Sequence, residues 1–248
     1  MIAQQRSLAA GIALGAALEV KLVPVLLVLP FALAVWRPAT PQPALRFAAG
    51  LGLALLPLAP FVLVQPMDFY QATLGYGSQF NRWGVMALIH ATSMNPDFTQ
   101  SAQAWGRTWL AMGRYVLLGS VVLVSIVGYW RRTFSPPQLG ALVFALFLTV
   151  APGFAIQYLI YLLPMLLVAD PRRGLHYSWL AGAFAATVYF VTWRGSFPAY
   201  SHFSGGFAHP APMVGILAWA VVVAFLTTTW LRGLREPAPL HSPGSVGT

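Results

Sequence analysis

Apolar residues along this chain come in long blocks, not at the two-residue interval of a half-buried strand or the 3.6-residue interval of a surface helix. Allowing several residues at either end, the blocks cover 8–20, 22–36, 45–64, 109–130, 138–152, 155–169, 175–193 and 213–231. Their lengths approach the roughly 20 residues that a helix needs to cross a bilayer core of ~30 Å. A helix satisfies its own backbone hydrogen bonds in lipid, so each block is read as helical. The alternation of a membrane barrel strand is absent, because the blocks are apolar on all sides. The fold class expected is all-α: a polytopic integral membrane helical bundle of about eight transmembrane segments, some of them short hairpin helices.

Composition supports that reading. Of 248 residues, 58% are hydrophobic and only 8% charged, with mean hydropathy +0.70. A soluble domain carries about 25% charged residues, so the charge here is too sparse to solvate a globular surface. The net charge of +9 sits mainly at block ends, at Arg37, Arg46, Arg131, Arg132, Arg172, Arg173, Arg232 and Arg235. That is the distribution of cytoplasmic loops in the positive-inside rule, not a phosphate-binding patch for nucleic acid. The chain has no cysteine, which excludes disulfides and thiolate metal sites. The first apolar run lacks a small-residue cleavage site and reads as a retained segment.

If the segments alternate, WRPATPQPALR, WRRTFSPPQ, DPRRGLHY and the tail LRGLRE share the cytoplasmic side. The polar stretches 65–108 and 194–212 then lie outside the cell membrane. The transmembrane domain is expected over 1–236, and the Pro-, Ser- and Gly-rich tail 237–248 is read as a disordered cytoplasmic segment. The localisation expected is the inner (plasma) membrane.

Two places interrupt the blocks. In LEVKLVPVLLVLP, Lys21 and Pro24 divide residues 8–36, either as one long helix with a charge near mid-membrane or as two short helices turning at 19–24. The hairpin is preferred, because it takes Lys21 out of hydrocarbon and keeps Arg6 with Arg37; Pro24 also disfavours helical geometry at Val23. In VAPGFAIQYLIYLLP, Pro152 and Gly153 break a run too long for one span and too short for two. A tight outer turn there would leave Gln157 and Tyr158 just below the surface.

Several side chains are candidates for chemistry. Lys21 either snorkels to the interface or pairs with Glu19, or it binds an anionic group such as a lipid phosphate. Arg82 and Trp83, in SQFNRWG near Tyr76 and Phe80, form either an interfacial aromatic belt or a saccharide and phosphate contact. Asp68 either caps a short helix in MDFYQATL or acts as a general base; Asp97 is the other acid in the outer stretches. Gln157 and Tyr158 either are polar groups satisfied between helices of the bundle or take part in substrate binding. His202 and His209 have no nearby carboxylate, so no metal is assigned, and no cofactor is expected. GxxxxGK[ST], GxGxxG and GxSxG are absent, so nucleotide and hydrolase chemistry of those kinds is unsupported.

With those residues in view, the chain resembles the C-terminal half of a GT-C glycosyltransferase, nearest to the mannosyltransferase-like family 87 and to family 39. Three pieces carry the likeness: AAGIALGAALEVKLVPVLLVLP, FNRWGVMALIH and TVAPGFAIQYLIYLLPMLL, in that order over roughly residues 5 to 170. The resemblance implies transfer of a hexose, mannose by the nearer family, from a polyprenyl-phosphate-sugar donor to an extracytoplasmic glycan or glycolipid acceptor. Lys21, with Arg82, would face the lipid phosphate. These families carry a catalytic carboxylate in an outer loop after their first helix, and nothing here corresponds to it. The sequence is therefore expected to be part of a longer gene product. A transporter or lipid-carrier flippase is the alternative, since broken helices and a charge within the membrane also mark transporters. Inverted repeats between the halves are not visible.

Overall fold

The computed structural model describes residues 2–36, 40–73, 83–92, 99–131, 134–153, 156–193 and 210–235. Among these residues the chain is helical and contains no strand. The α-helices are α1 (Ile2–Val20), α2 (Val28–Val35), α3 (Gln42–Leu55), α4 (Ala59–Val64), α5 (Pro66–Thr73), α6 (Gly84–Thr92), α7 (Thr99–Arg131), α8 (Pro136–Val150), α9 (Leu159–Ala169), α10 (Pro171–Trp193) and α11 (Pro210–Arg235). The chain divides into two compact units. One comprises residues 1–77, 121–139 and 232–248, the other 78–120 and 140–231.

In the first unit α1 and α3 cross at glycines. A Cβ on Gly50 would stand 3.0 Å from the Ile12 amide nitrogen, and one on Gly11 would stand 2.8 Å from that of Leu51. Gly15 lies against Ala54, where the same addition would come within 2.5 Å of the alanine methyl. Small residues let two backbones approach this closely, the usual device for packing helices in lipid. The small-residue run LAAGIALGAA is therefore used within the chain.

The register also fixes direction. Leu8 and Ile12 meet Gly50, Gly11 meets Phe47 and Leu51, and Gly15 meets Leu51 and Ala54. Rising numbers on α1 match rising numbers on α3, so the two helices run parallel. The intervening chain must return, and Lys21, a 3-10 turn at Val23–Leu27 and α2 make that return. Pro24 opens the 3-10 turn, and Pro24, Leu26 and Leu27 are buried. This is the hairpin arrangement, with Lys21 at the reversal and Arg6 and Arg46 near the opposite end.

Pro57 and Pro60 explain the break after α3. Neither offers an N–H to the carbonyl four residues earlier, so the ladder tightens into a 3-10 turn at Leu56–Leu58 before α4 resumes. In the same unit, the Phe134 ring fills the space left by Gly128 and Gly233. It wedges the C-terminal turns of α7 and α11 together. Ser125 is buried and donates its hydroxyl to the Val121 carbonyl at 2.6 Å.

The second unit is built around α8. Every residue from Ala141 to Leu148 is buried, as expected of a helix apolar on all faces. Phe147 lies edge-on to Tyr158 at 5.4 Å and Phe144 stacks on Tyr161 at 5.8 Å, so α8 and α9 are antiparallel across the break at Pro152–Gly153. Gly174 packs on Leu167, and the Tyr177 hydroxyl donates to the Leu159 carbonyl at 2.9 Å, which makes α9 and α10 antiparallel too. Gly215 faces Phe184 and Thr228 faces Arg173, so α11 runs back along α10.

Among the described residues, three stretches are long and apolar enough to cross a membrane: Gln42–Val64, Gln100–Arg131 and Val214–Arg235. Val23–Val35, Pro136–Val150 and Ile156–Ala169 are shorter apolar helices. Only 11% of the most apolar part of Gln42–Val64 is buried by the protein itself. Leu63 and Val64 are 80% and 76% exposed, a surface that suits hydrocarbon and not water.

The sequence expectation needs one correction in the outer stretch. Residues 65–108 were expected as a polar loop, yet they hold α5, α6 and the first ten residues of α7. The reason lies in a stripe at helical spacing. Ala102, Gly106, Gly113, Leu117, Val121, Val124 and Gly128 are all buried, and the polar residues between them, Gln103 and Arg107 among them, are exposed. Small residues on that stripe hid its amphipathic period. Residues 194–209, with His202 and His209, and residues 237–248 lie outside the described residues, as do Arg37, Arg132 and Asp97.

Candidate functional site

Lys21 ends the last turn of α1: its amide donates to the Ala17 carbonyl at 3.1 Å. The next residues leave the α-ladder because Pro24 disfavours it at Val23. The side chain is half-buried, and Glu19 beside it is exposed. An ammonium at a reversal between apolar helices is a compact positive charge with three donors, suited to a phosphate oxygen.

In the second unit, Gln157 and Tyr158 occupy the 3-10 turn Ile156–Tyr158 that follows the α8–α9 break. Gln157 is exposed, so its amide is free to meet a solute. Tyr158 is half-buried and belongs to an aromatic row, with Phe147 on one side and Tyr161 at 6.2 Å on the other. Pro152 holds the break in place by packing on Gly113 of α7, where even an added Cβ would meet its ring at 3.1–3.2 Å.

Trp83 is placed differently from Gln157. It is only 2% exposed, its indole N–H donates to the Leu148 carbonyl at 2.7 Å, and its ring tilts against Phe184 at 5.2 Å. A sugar platform needs an open aromatic face, which this ring lacks. What Trp83 does is cap the C-terminal end of α8 with its N–H and lead the chain into α6 through Gly84, whose φ of +61° favours glycine. Arg82 lies outside the described residues.

Asp68 is exposed within the first turn of α5. It sits inside that turn, not at the position before it, so helix-dipole attraction is its local role. Its exposure leaves the carboxylate open to an acceptor hydroxyl. Among the described residues no group of three or more His, Asp or Glu is placed to hold a metal.

Two side chains were not singled out by sequence. The indole nitrogens of Trp109 and Trp219 are buried without a hydrogen-bond partner among the described residues. The Trp219 nitrogen stands 3.5 Å from where a Gly84 Cβ would be. Nothing in the apolar pattern separates these two from the remaining tryptophans. No family profile, curated protein or solved structure matches the chain.

Proposed function

We propose that the chain belongs to a membrane glycosyltransferase that takes a hexose, mannose by its nearest resemblance, from a polyprenyl-phosphate-sugar donor. The observation that carries the reading is the position of Lys21, at a reversal between apolar helices and at the opposite end of α1 from Arg6. A lipid phosphate presented at the membrane surface meets a charge there without its being drawn into hydrocarbon. The about eight membrane segments, the cytoplasmic placement of the basic loops and the inner membrane as location belong to the same proposal.

Chemically, the bond from the anomeric carbon to the donor phosphate breaks as an acceptor hydroxyl attacks, and negative charge grows on the leaving phosphate. Lys21 stabilises that charge in the transition state. Gln157 and Tyr158, in the second unit, are separate candidates for contact with a lipid phosphate or sugar. Asp68 is the acidic candidate for accepting the hydroxyl proton.

The test is binding of a short polyprenyl phosphate to the purified chain in nanodiscs, against the same polyprenol without phosphate. The phosphate should bind at least tenfold more tightly, and Lys21→Ala should remove most of that preference, since one charge-assisted contact is worth about a factor of ten. Equal binding of alcohol and phosphate by the unaltered chain would defeat the phosphate role. The broken helices at Lys21 and at Leu56–Leu58 also favour a second reading, a carrier that moves the lipid-linked sugar without chemistry. A carrier would move labelled donor across a vesicle membrane and leave its glycosidic bond intact.

A further inference from the structure

A different part of the first unit carries a charge pattern that the donor site does not use. The last turns of α7 and α11 end together, pinned by the Phe134 ring between Gly128 and Gly233. Arg131 donates to the Leu234 carbonyl at 3.4 Å, and Arg232 and Arg235 lie in the last turn of α11. All three arginines are exposed. With Arg132 and Glu236, which adjoin them in sequence, these two segments hold four arginines and one glutamate, a net +3.

Part of that charge has an internal use. Each helix C-terminus presents about −0.5 of a charge, so two together offset roughly one positive charge. About two remain for an outside partner. Apolar surface flanks them: Trp130 is 74% exposed next to Arg131, and Leu234 is 37% exposed between Arg232 and Arg235. A free phosphate ion has no use for an exposed indole and leucine. A phospholipid has use for both, because tryptophan rests at headgroup depth and arginines reach the phosphate.

We infer that the paired C-terminal ends of α7 and α11 form a binding site for the headgroup of an anionic phospholipid, held by Arg131, Arg232 and Arg235 with Trp130 alongside. The site tethers both helix ends to one lipid and is separate from the Lys21 reversal.

Native mass spectrometry of the purified chain, titrated with dioleoyl phosphatidylglycerol or dioleoyl phosphatidylcholine, tests this. The anionic lipid should bind at least tenfold more tightly than the zwitterionic one. The double variant Arg232→Gln/Arg235→Gln should lose about thirtyfold in affinity for the anionic lipid, on the usual contribution of two arginines near an anionic surface. Arg232→Lys/Arg235→Lys, which keeps the charge, should retain it, and so should Arg172→Gln, which removes an exposed arginine at the start of α10. Equal affinity for the two lipids would overturn the site. So would an equal loss in Arg172→Gln or in the lysine variant, or displacement of the lipid by millimolar inorganic phosphate.

Discussion

Replacing Gly11 by alanine should drive α1 and α3 apart, although alanine is the better helix former. The new methyl would meet the Phe47 carbonyl oxygen and stand 2.8 Å from the Leu51 amide nitrogen. Both are backbone atoms, which no rotamer change can move. In a helix interior, glycine to alanine is worth about 0.5–1 kcal/mol in favour of alanine. Overpacking a close contact costs about 1–3 kcal/mol. The net for Gly11→Ala is therefore a loss on the order of 1–2 kcal/mol. Gly52, on the same pair of helices, supplies the control, because nothing lies within 4 Å of its added Cβ. Gly52→Ala should gain roughly 0.5–1 kcal/mol by helix propensity alone. The two variants should thus differ by about 1.5–3 kcal/mol, or roughly 3–12 °C in Tm for a chain of this size. Thermal denaturation in one detergent, read by intrinsic tryptophan fluorescence, measures the difference. A Gly11→Ala protein as stable as Gly52→Ala would refute the close crossing and, with it, the parallel register that places Lys21 at a reversal.

Further outcomes follow from the same geometry. Single cysteines at Arg6, Lys21 and Arg46, in a chain with none of its own, should react with a membrane-impermeant thiol reagent from one side for 6 and 46 and from the other for 21; labelling of all three from one side would contradict the hairpin. Trp83→Phe should lower stability by about 1–3 kcal/mol, because the Leu148 carbonyl at the end of α8 loses its buried donor, while polyprenyl phosphate binding by the folded fraction stays unchanged; a selective loss of binding would return Trp83 to the substrate site. Asp170 precedes Pro171 at the start of α10, accepts the Arg173 amide at 3.1 Å and pairs with its guanidinium at 3.4 Å. Asp170→Ala should cost about 0.5–2 kcal/mol and Asp170→Asn less, since asparagine still caps; equal losses in a denaturation series would mean that the ion pair, not the cap, dominates.

The legible parts of the sequence were those where one force dominates. Long apolar blocks specify helices because lipid tolerates no open backbone, and prolines at positions 24 and 152 interrupt the α-ladder for want of an N–H. The extent of α7 was less legible. Its first ten residues bury alanine and glycine, which carry little hydropathy signal, and expose glutamine and arginine. At 33 residues the helix is ~50 Å long, against a hydrocarbon core of ~30 Å. Even the upper range of tilt for membrane helices, about 40°, leaves part of it outside that core. Trp83 misled for a related reason. An aromatic beside an arginine in a polar stretch reads as interfacial, but its N–H found the Leu148 carbonyl, a partner 65 residues away that no local pattern announces. Of the candidate side chains, Lys21 and Gln157 stood out in the sequence because a charge and an amide interrupt apolar runs. The buried indoles of Trp109 and Trp219 were not, since only packing distinguishes a satisfied donor from an unsatisfied one.

The most direct test of the proposed activity uses membranes from cells expressing the gene from its own genomic locus, incubated with radiolabelled polyprenyl-phosphate-mannose. The account predicts that label moves from the donor into a lipid or glycan acceptor, and that Lys21→Ala lowers that transfer about tenfold at equal protein level. Label that stays on the donor, or transfer unchanged by Lys21→Ala, would contradict it.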